Sequence, residues 1–170
     1  MAQLLNNMLL TRKKDLLNKW VNLIFDSYHA EGAKFFREQG DPFKNPVGGT
    51  IKNETEIVFD QLTGIMDTDI LNKSLTNIIK IRSIQEFTPS EAVSFLFQLR
   101  DLIGEEISSD ATLQIEHNEW LKLNRDIDTI ISLAFNIYMD SREKLNSIRI
   151  NEMKKRFAFV DIRPTRKEKN

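Results

Sequence analysis

The sequence predicts an all-α fold: a single helical domain of five to seven helices with a long C-terminal helix. Apolar residues recur at three- and four-residue spacings along most of the chain. No segment shows sustained alternation of apolar and polar residues, so strands are not predicted. A length of 170 residues with 41% hydrophobic side chains suits one domain with a sizeable core.

The N-terminal part contains two predicted helices. The first covers residues 4–28 and the second, shorter one covers residues 31–39, ending before Gly40, a residue type that commonly stops helices. Four apolar side chains share one face of the first helix and predict its buried side: Leu16, Trp20, Leu23 and Ile24.

A proline- and glycine-rich corner precedes the third helix, predicted over residues 46–66. Asn45 is a favoured N-cap residue and Pro46 suits the first helical position, where its missing N–H costs nothing. We expect one stripe of this helix to face the core, through Ile51, Val58, Leu62 and Ile65.

The fourth and fifth helices are predicted over residues 69–86 and 89–107. Residues 67–69 are small and polar, as helix caps require, and the fourth helix places Leu71, Leu75 and Ile78 inward. Thr88 and Glu91 flank Pro89 in the pattern of a capping box. The apolar arc of the fifth helix is too wide for a surface helix, which predicts a central position; it consists of Ala92, Val93, Phe95, Leu96, Phe97, Leu99 and Ile103.

The C-terminal part, from Ala111 to about Val160, reads as one long helix or two, because no proline or glycine occurs from residue 105 to 163. Six apolar residues in its first part predict core: Ile127, Ile130, Ile131, Ala134, Phe135 and Tyr138. Beyond Ser141 the apolar positions become sparse, which predicts a homodimer seam or an exposed signalling helix; they are Leu145, Ile148, Met153 and Phe157.

Two segments carry a family resemblance. They are Asp41-Pro-Phe-Lys-Asn-Pro-Val-Gly-Gly-Thr-Ile51 and Ile79-Lys-Ile-Arg-Ser-Ile-Gln-Glu-Phe-Thr-Pro-Ser-Glu-Ala-Val93. Together they resemble the N-terminal domain of RsbRD-type co-antagonists of the stressosome, over about residues 10 to 155. The resemblance implies a haem-free, globin-like sensor domain. In that family the domain is the sensory half of a protein whose other half is a phosphorylated STAS domain, and residues 161–170 cannot form such a domain. The resemblance therefore implies a stand-alone form, and similar stand-alone forms are associated with anaerobic, sulphate-reducing bacteria.

Composition narrows the functional classes. Zero cysteines exclude disulfides, thiolate metal sites and a cysteine nucleophile, which fits a cytoplasmic protein. No apolar run approaches the roughly 20 residues that span a bilayer. Phosphate loops, nucleophile elbows, paired-carboxylate motifs and His-Glu-x-x-His motifs are absent, so an enzyme is not expected. No cofactor and no nucleic-acid partner are expected. In a less favoured alternative, the protein binds haem through His29 or His117.

Arg82 is the candidate site residue with the sharpest alternatives. It continues the inward stripe of the fourth helix, so its guanidinium must be paired or solvated. It either anchors an anionic ligand or locks the corner through Glu86, Asp60 or a helix C-terminus. The resembled family also has arginine at this place, followed by the equivalents of Gln85 and Phe87.

The corner at Asn45 poses a parallel choice. It either lines a ligand pocket or contacts a partner, with Phe43 as the apolar anchor, or it fixes the angle between two helices. The region from Arg142 to Asn170 carries ten basic and four acidic residues. This basic tail, disordered over residues 161–170, either attracts an anionic surface or partner or is simply a solvated helix end.

The functional prediction is a non-enzymatic regulatory or sensor-like module in stress, redox or energy-metabolism signalling. It would dimerise and bind a small ligand or a partner protein that the sequence does not identify. The alternative is a structural adaptor that holds a partner or membrane complex without a ligand. A haem or gas sensor is the third reading.

Overall fold

The computed structural model describes residues 4–28, 30–38, 45–85 and 87–160, and within these ranges the chain is helical without strands. The described residues form seven helices: α1 (Leu4–Thr11), α2 (Lys13–Asp26), α3 (Ala30–Glu38), α4 (Pro46–Thr63), α5 (Thr68–Ile84), α6 (Pro89–Ser109) and α7 (His117–Val160). The predicted all-α class with a long C-terminal helix is confirmed. None of these helices is long and apolar enough to cross a membrane.

Helix α6 buries seven apolar residues, while the central position predicted for it from its wide apolar arc stays a prediction. It packs against α2, α5 and α7. The Trp20 indole of α2 donates a hydrogen bond of 2.6 Å to the Phe95 carbonyl of α6, and the two rings stack with their centroids 6.1 Å apart. Both side chains are fully buried. Since a buried indole N–H needs an acceptor, this bond fixes how α2 and α6 pack.

Side-chain caps begin α5 and α6 as the sequence predicted. The Asp67 carboxylate accepts hydrogen bonds from the backbone N–H groups of Asp69 and Ile70, at 2.9 and 3.1 Å. At α6 the Thr88 hydroxyl accepts from the Glu91 N–H at 3.4 Å, while the Glu91 carboxylate accepts from the Thr88 N–H at 2.8 Å. Each contact satisfies backbone donors that the first turn of a helix leaves free.

The single first helix predicted over residues 4–28 is wrong. The chain departs from helical geometry at Arg12, with φ −97° and ψ 7°, and this residue separates α1 from α2. The Arg12 guanidinium forms ion pairs with Glu106 at 2.8 Å and Asp110 at 2.5 Å. These partners are distant in sequence, so no local pattern could have shown the break. Most other helix ends agree with their predictions to within a turn.

Three residues predicted to face the core are exposed. Ile65 is 96% exposed because α4 ends at Thr63, so the stripe stops before it reaches that position. Phe97 and Phe135 are 43% and 42% exposed. The ring of Phe97 lies at the surface, 5.8 Å from the guanidinium carbon of Arg100. The apolar arcs of α6 and α7 are therefore wider than the faces that these helices bury.

Helix α7 is one continuous helix of 44 residues that begins at His117 rather than at Ala111. Before it, the Asp110 carboxylate accepts a hydrogen bond of 3.1 Å from the Thr112 N–H, which holds this segment in a turn. Between His117 and Phe157, the last buried residue of α7 is Tyr138. The predicted basic tail at residues 161–170 lies outside the described residues.

Candidate functional site

Arg82 lies in the last turn of α5 and is fully buried, not at the edge of the core as predicted. Leu71, Leu75 and Ile78 precede it along the same buried side of the helix. This packing carries the guanidinium inward, toward the end of α2 and the beginning of α6.

Two of the three guanidinium nitrogens are hydrogen-bonded within the protein. Nη1 donates to the Ser27 hydroxyl at 3.1 Å, and Nη2 donates to the Glu91 carbonyl oxygen at 2.8 Å. Ser27 is the C-cap residue of α2, and its hydroxyl donates in turn to the Ile24 carbonyl at 2.6 Å. Nε is buried without a hydrogen-bond partner in the described structure. The Arg82 side chain thus joins the end of α2 to the first turn of α6.

Three aromatic rings surround the guanidinium. Its central carbon lies 4.2 Å from the ring centroid of Phe87, 5.5 Å from that of Tyr28 and 5.7 Å from that of Phe95. The electron-rich face of an aromatic ring attracts a cation, and this attraction strengthens when both groups are desolvated. The rings therefore supply part of the stabilisation that water gives an exposed arginine.

No carboxylate pairs with Arg82 among the residues that the structure describes. Asp60, a predicted partner, is an ion-pair partner of Lys13 at 2.7 Å instead, so that prediction is wrong. Glu86, the other predicted acid, lies outside the described residues. The Glu91 carboxylate is engaged in the capping box. Burial lowers the pKa of Arg82 from its ordinary value, an effect that the nearby Tyr28 hydroxyl partly offsets.

Tyr28 is the second unusual polar group of this cluster. Burial raises the pKa of its phenol, and the charge of Arg82 opposes that rise. The hydroxyl has no hydrogen-bond partner of acceptable geometry in the described part of the chain, although it interacts electrostatically with the guanidinium. A buried, incompletely paired arginine beside an unpaired phenol lowers the stability of the folded state, because buried polar groups without partners cost free energy. Such groups are often kept for a function, so we take this cluster as the candidate site.

The other predicted site residues lie at different places. Phe87 belongs to the Arg82 cluster, whereas Gln85 is exposed at the C-cap of α5. Asn45 is buried and caps α4, as predicted, by accepting a 2.8 Å hydrogen bond from the Gly48 N–H. Phe43 lies outside the described residues.

An aromatic chain joins the Asn45 corner to the Arg82 cluster. The Asn45 amide nitrogen donates to the Phe36 carbonyl at 3.0 Å. The Phe36 ring meets the Tyr28 ring edge-on at 5.2 Å, and Tyr28 meets Phe87 at 5.3 Å. The two segments that carry the family resemblance are therefore connected through Tyr28 and Phe36. Sequence reasoning missed both residues, because no local spacing relates them to either segment.

The cluster is also connected to α7. The Tyr138 hydroxyl donates to the Phe87 carbonyl, so one residue covers Arg82 with its ring and holds α7 through its backbone. Four residues further along α7, the Arg142 guanidinium donates to the Ser83 carbonyl at 3.2 Å. Both anchors lie where α7 leaves the core, one beside the start of α6 and one in the last turn of α5.

The four apolar residues predicted as one seam lie on different sides of α7. Leu145 and Ile148 continue the buried side and line a groove of about 370 Å³ that runs along α5. Successive helical residues turn by about 100°, so Phe157 lies about 180° around the helix from Ile148, and Met153 about 140°. The exposed fractions are 55% for Ile148, 52% for Met153 and 71% for Phe157. The four residues do not form one stripe.

The histidines do not join the candidate site. His117 is exposed at the first position of α7, and His29 lies outside the described residues. Within the described ranges, no three histidine, aspartate or glutamate side chains converge so that they could hold a metal ion.

A family model described as "RsbT co-antagonist protein rsbRD N-terminal domain" matches residues 14–153. The match includes the Asn45 corner, the Arg82 cluster and most of α7. No curated protein and no solved structure matches the chain, so the globin-like form predicted from the sequence stays a prediction.

Proposed function

Because the chain belongs to the family of RsbT co-antagonist protein rsbRD N-terminal domains, we propose that it is a non-enzymatic signalling module that binds a partner protein through α7. Membership in this family implies stressosome-related regulatory signalling. The proposal that α7 binds the partner goes beyond family membership, and the contact between the Arg82 cluster and α7 supports it.

That connection is the hydrogen bond from Tyr138 to the Phe87 carbonyl. The ring of Phe87 covers Arg82, and its carbonyl holds α7 at the buried residue Tyr138. A change in the packing around Arg82 would therefore move Phe87 and alter the anchor of α7. Coupling between two places in a protein requires a contiguous physical connection of this kind.

The part of α7 beyond this anchor has the properties of an interaction element. The 22 residues after Tyr138 extend for about 33 Å. Ile150, Met153 and Phe157 are about half or more exposed. Large apolar side chains exposed together on one element are typical of protein interaction sites.

Binding of a small ligand at Arg82 is the second reading, and the internal contacts of the guanidinium favour a structural role instead. Two of its nitrogens have protein partners, and three rings cover its faces. We therefore propose that Arg82 locks the junction of α2, α5 and α6. A homodimer, a cytoplasmic location and an anaerobic setting stay predictions.

A replacement in the native cells tests this function. The double variant Met153→Glu/Phe157→Glu alters two exposed positions, so the core should fold and melt as in the parent protein. We expect its stress-response transcripts to match those of a deletion strain. The control Lys155→Glu makes the same change in net charge on another side of α7, where the residue is also exposed, and should behave as the parent. A double variant indistinguishable from the parent would contradict the proposal.

A further inference from the structure

The exposed side of α7 is a heptad seam bordered by arginine. Met139, Asn146 and Met153 recur every seven residues, and so do Glu143, Ile150 and Phe157. These two rows lie next to each other on the helix, with the alternating three- and four-residue spacing that two packed helices require. All six residues are exposed. We call this surface the α7 seam.

A third row runs along one edge of the α7 seam. Arg142, Arg149 and Arg156 also recur every seven residues, beside the row that contains Met153. Arg149 and Arg156 are exposed and have no ion-pair partner among the described residues. Asp140, Ser147 and Lys154 lie along the other edge, so the border is mixed in charge at the first heptad and predominantly cationic over the outer two heptads.

We propose that the α7 seam binds an amphipathic helix of a partner protein, and that the edges of this helix carry glutamate or aspartate. This proposal rests on the proposed function. A helix matches the seam because only another helix presents apolar residues at the same three- and four-residue spacing. Acidic side chains match the border because residues at these edge positions form the ion pairs between packed helices and select the partner.

A second copy of this chain fits the border poorly. In a parallel pair, Arg149 would face Lys154 of the other copy, and in an antiparallel pair arginine would face arginine. Like charges brought together across an interface oppose association. The charge pattern therefore disfavours the homodimer predicted from the sequence as the occupant of this seam.

An anionic membrane surface is the other class of occupant that basic residues suggest. Glu143 and Asn146 lie within the two seam rows rather than on the opposite side of α7. A carboxylate within the inserted side would be repelled by anionic lipid and costly to desolvate. Against a helix, both side chains can form hydrogen bonds with polar groups of the partner, as single polar seam residues commonly do.

Two designed peptides test the charge preference on the full chain. Both have three heptads with leucine at the seam positions, one with glutamate at every edge position and the other with lysine. Binding is measured by fluorescence anisotropy at about 0.1 M salt, where exposed charges still interact over roughly 10 Å. We expect the glutamate peptide to bind at least about tenfold more tightly than the lysine peptide.

Matched charge reversals identify the surface that produces the preference. Arg149→Glu/Arg156→Glu should reverse it, so that the lysine peptide binds more tightly. Lys144→Glu/Lys155→Glu makes the same change in net charge on another side of α7, where both residues are exposed, and should leave the preference intact. Circular dichroism should be unchanged in both variants, because all four side chains are exposed.

Several results would overturn the proposal. Failure of the glutamate peptide to bind, equal binding of the two peptides, or an equal effect of the two double variants would each do so. Light scattering would overturn it by showing a dimer that Met153→Glu dissociates. Vesicles of phosphatidylserine would overturn it if they bound the parent and displaced the glutamate peptide. These outcomes concern only the partner's chemistry, since the cell experiment tests the function independently.

Discussion

The guanidinium carbon of Arg82 lies 4.2 Å from the centroid of the Phe87 ring, and no carboxylate forms an ion pair with that guanidinium among the described residues. A fully buried cation normally has an acid beside it. Here aromatic faces, a hydroxyl and a backbone carbonyl take that place. The stability of the junction between α5 and α6 therefore depends on contacts that salt screens little.

Replacement of Arg82 by methionine distinguishes a structural lock from a ligand anchor. Arg82→Met removes the hydrogen bonds that the guanidinium donates to the Ser27 hydroxyl and the Glu91 carbonyl, and losing a hydrogen bond to a charged group costs about 1.5 to 3 kcal/mol. We expect a corresponding loss of unfolding free energy in urea. The control Lys80→Met changes an exposed side chain on the same helix and should have little effect.

Unchanged stability of Arg82→Met would instead indicate that Arg82 binds a ligand. If ligand-free Arg82→Met melts as the parent does, and loses a rise in melting temperature that phosphate gives the parent, then Arg82 anchors an anion. The structural role that we propose for it would then be wrong.

Two adjacent glycines at the start of α4 should respond in opposite directions. A Cβ at Gly48 would lie only 2.7 Å from the Asn45 side-chain oxygen, so Gly48→Ala must displace the side chain that caps the helix. Loss of such a cap costs about 0.5 to 2 kcal/mol. A Cβ at Gly49 meets nothing within 4 Å, and Gly49→Ala should stabilise α4 by about 0.5 to 1 kcal/mol. Equal urea midpoints for the two variants would show that Asn45 does not cap the helix.

The capping box of α6 gives a third prediction. Thr88→Ala removes the hydroxyl that accepts from the Glu91 N–H, and we expect a loss of about 0.5 to 2 kcal/mol in thermal or urea unfolding. Ser108→Ala removes an exposed hydroxyl near the other end of α6; it is the control and should change stability by less than about 0.5 kcal/mol. A larger effect at Ser108 than at Thr88 would contradict the assignment of the cap.

Glu106 gives the fold a predictable dependence on pH. Hydrogen bonds from Lys19 and Arg12 lower the pKa of its carboxyl below the ordinary value of 4.5. A carboxylate with a lowered pKa in the folded state stabilises it at pH values above the ordinary pKa. That stabilisation is lost as the pH falls through the folded-state pKa.

Comparison with Glu106→Gln tests this dependence. The difference in urea midpoint between the parent and the variant should be full near pH 7, and it should shrink below about pH 4.5 as the carboxylate becomes protonated. Glu152→Gln, at an exposed position of α7, is the control and should show no comparable trend. A difference that grows toward acid would refute the assignment of these ion pairs.

Local signals predicted the helix starts well. The caps at Asn45, Asp67 and Thr88 each depend on atoms within four residues, and each was confirmed. The break at Arg12 was missed because it accompanies ion pairs to Glu106 and Asp110, almost a hundred residues away. Sequence patterns describe short-range geometry and carry little information about such distant partners.

The candidate site was predicted only in part for the same reason. The stripe in α5 directed attention to Arg82, but the contacts of its guanidinium come from Ser27, Tyr28 and Phe95. The prediction that four apolar residues of α7 form one stripe was wrong for another reason. Leu145 and Phe157 were grouped by their distance along the chain, whereas helical rotation separates them by about 120°.

The length of helix α7 would amplify a small tilt at its base. The helix contains neither proline nor glycine, the residues at which helices most often bend. The helix is held to the core at the buried residue Tyr138, and about 33 Å of helix extends beyond it. A tilt of about 10° there would displace the far end by about 6 Å, more than one helical turn. A rearrangement too small to disturb the core can therefore decide whether a distant partner is within reach.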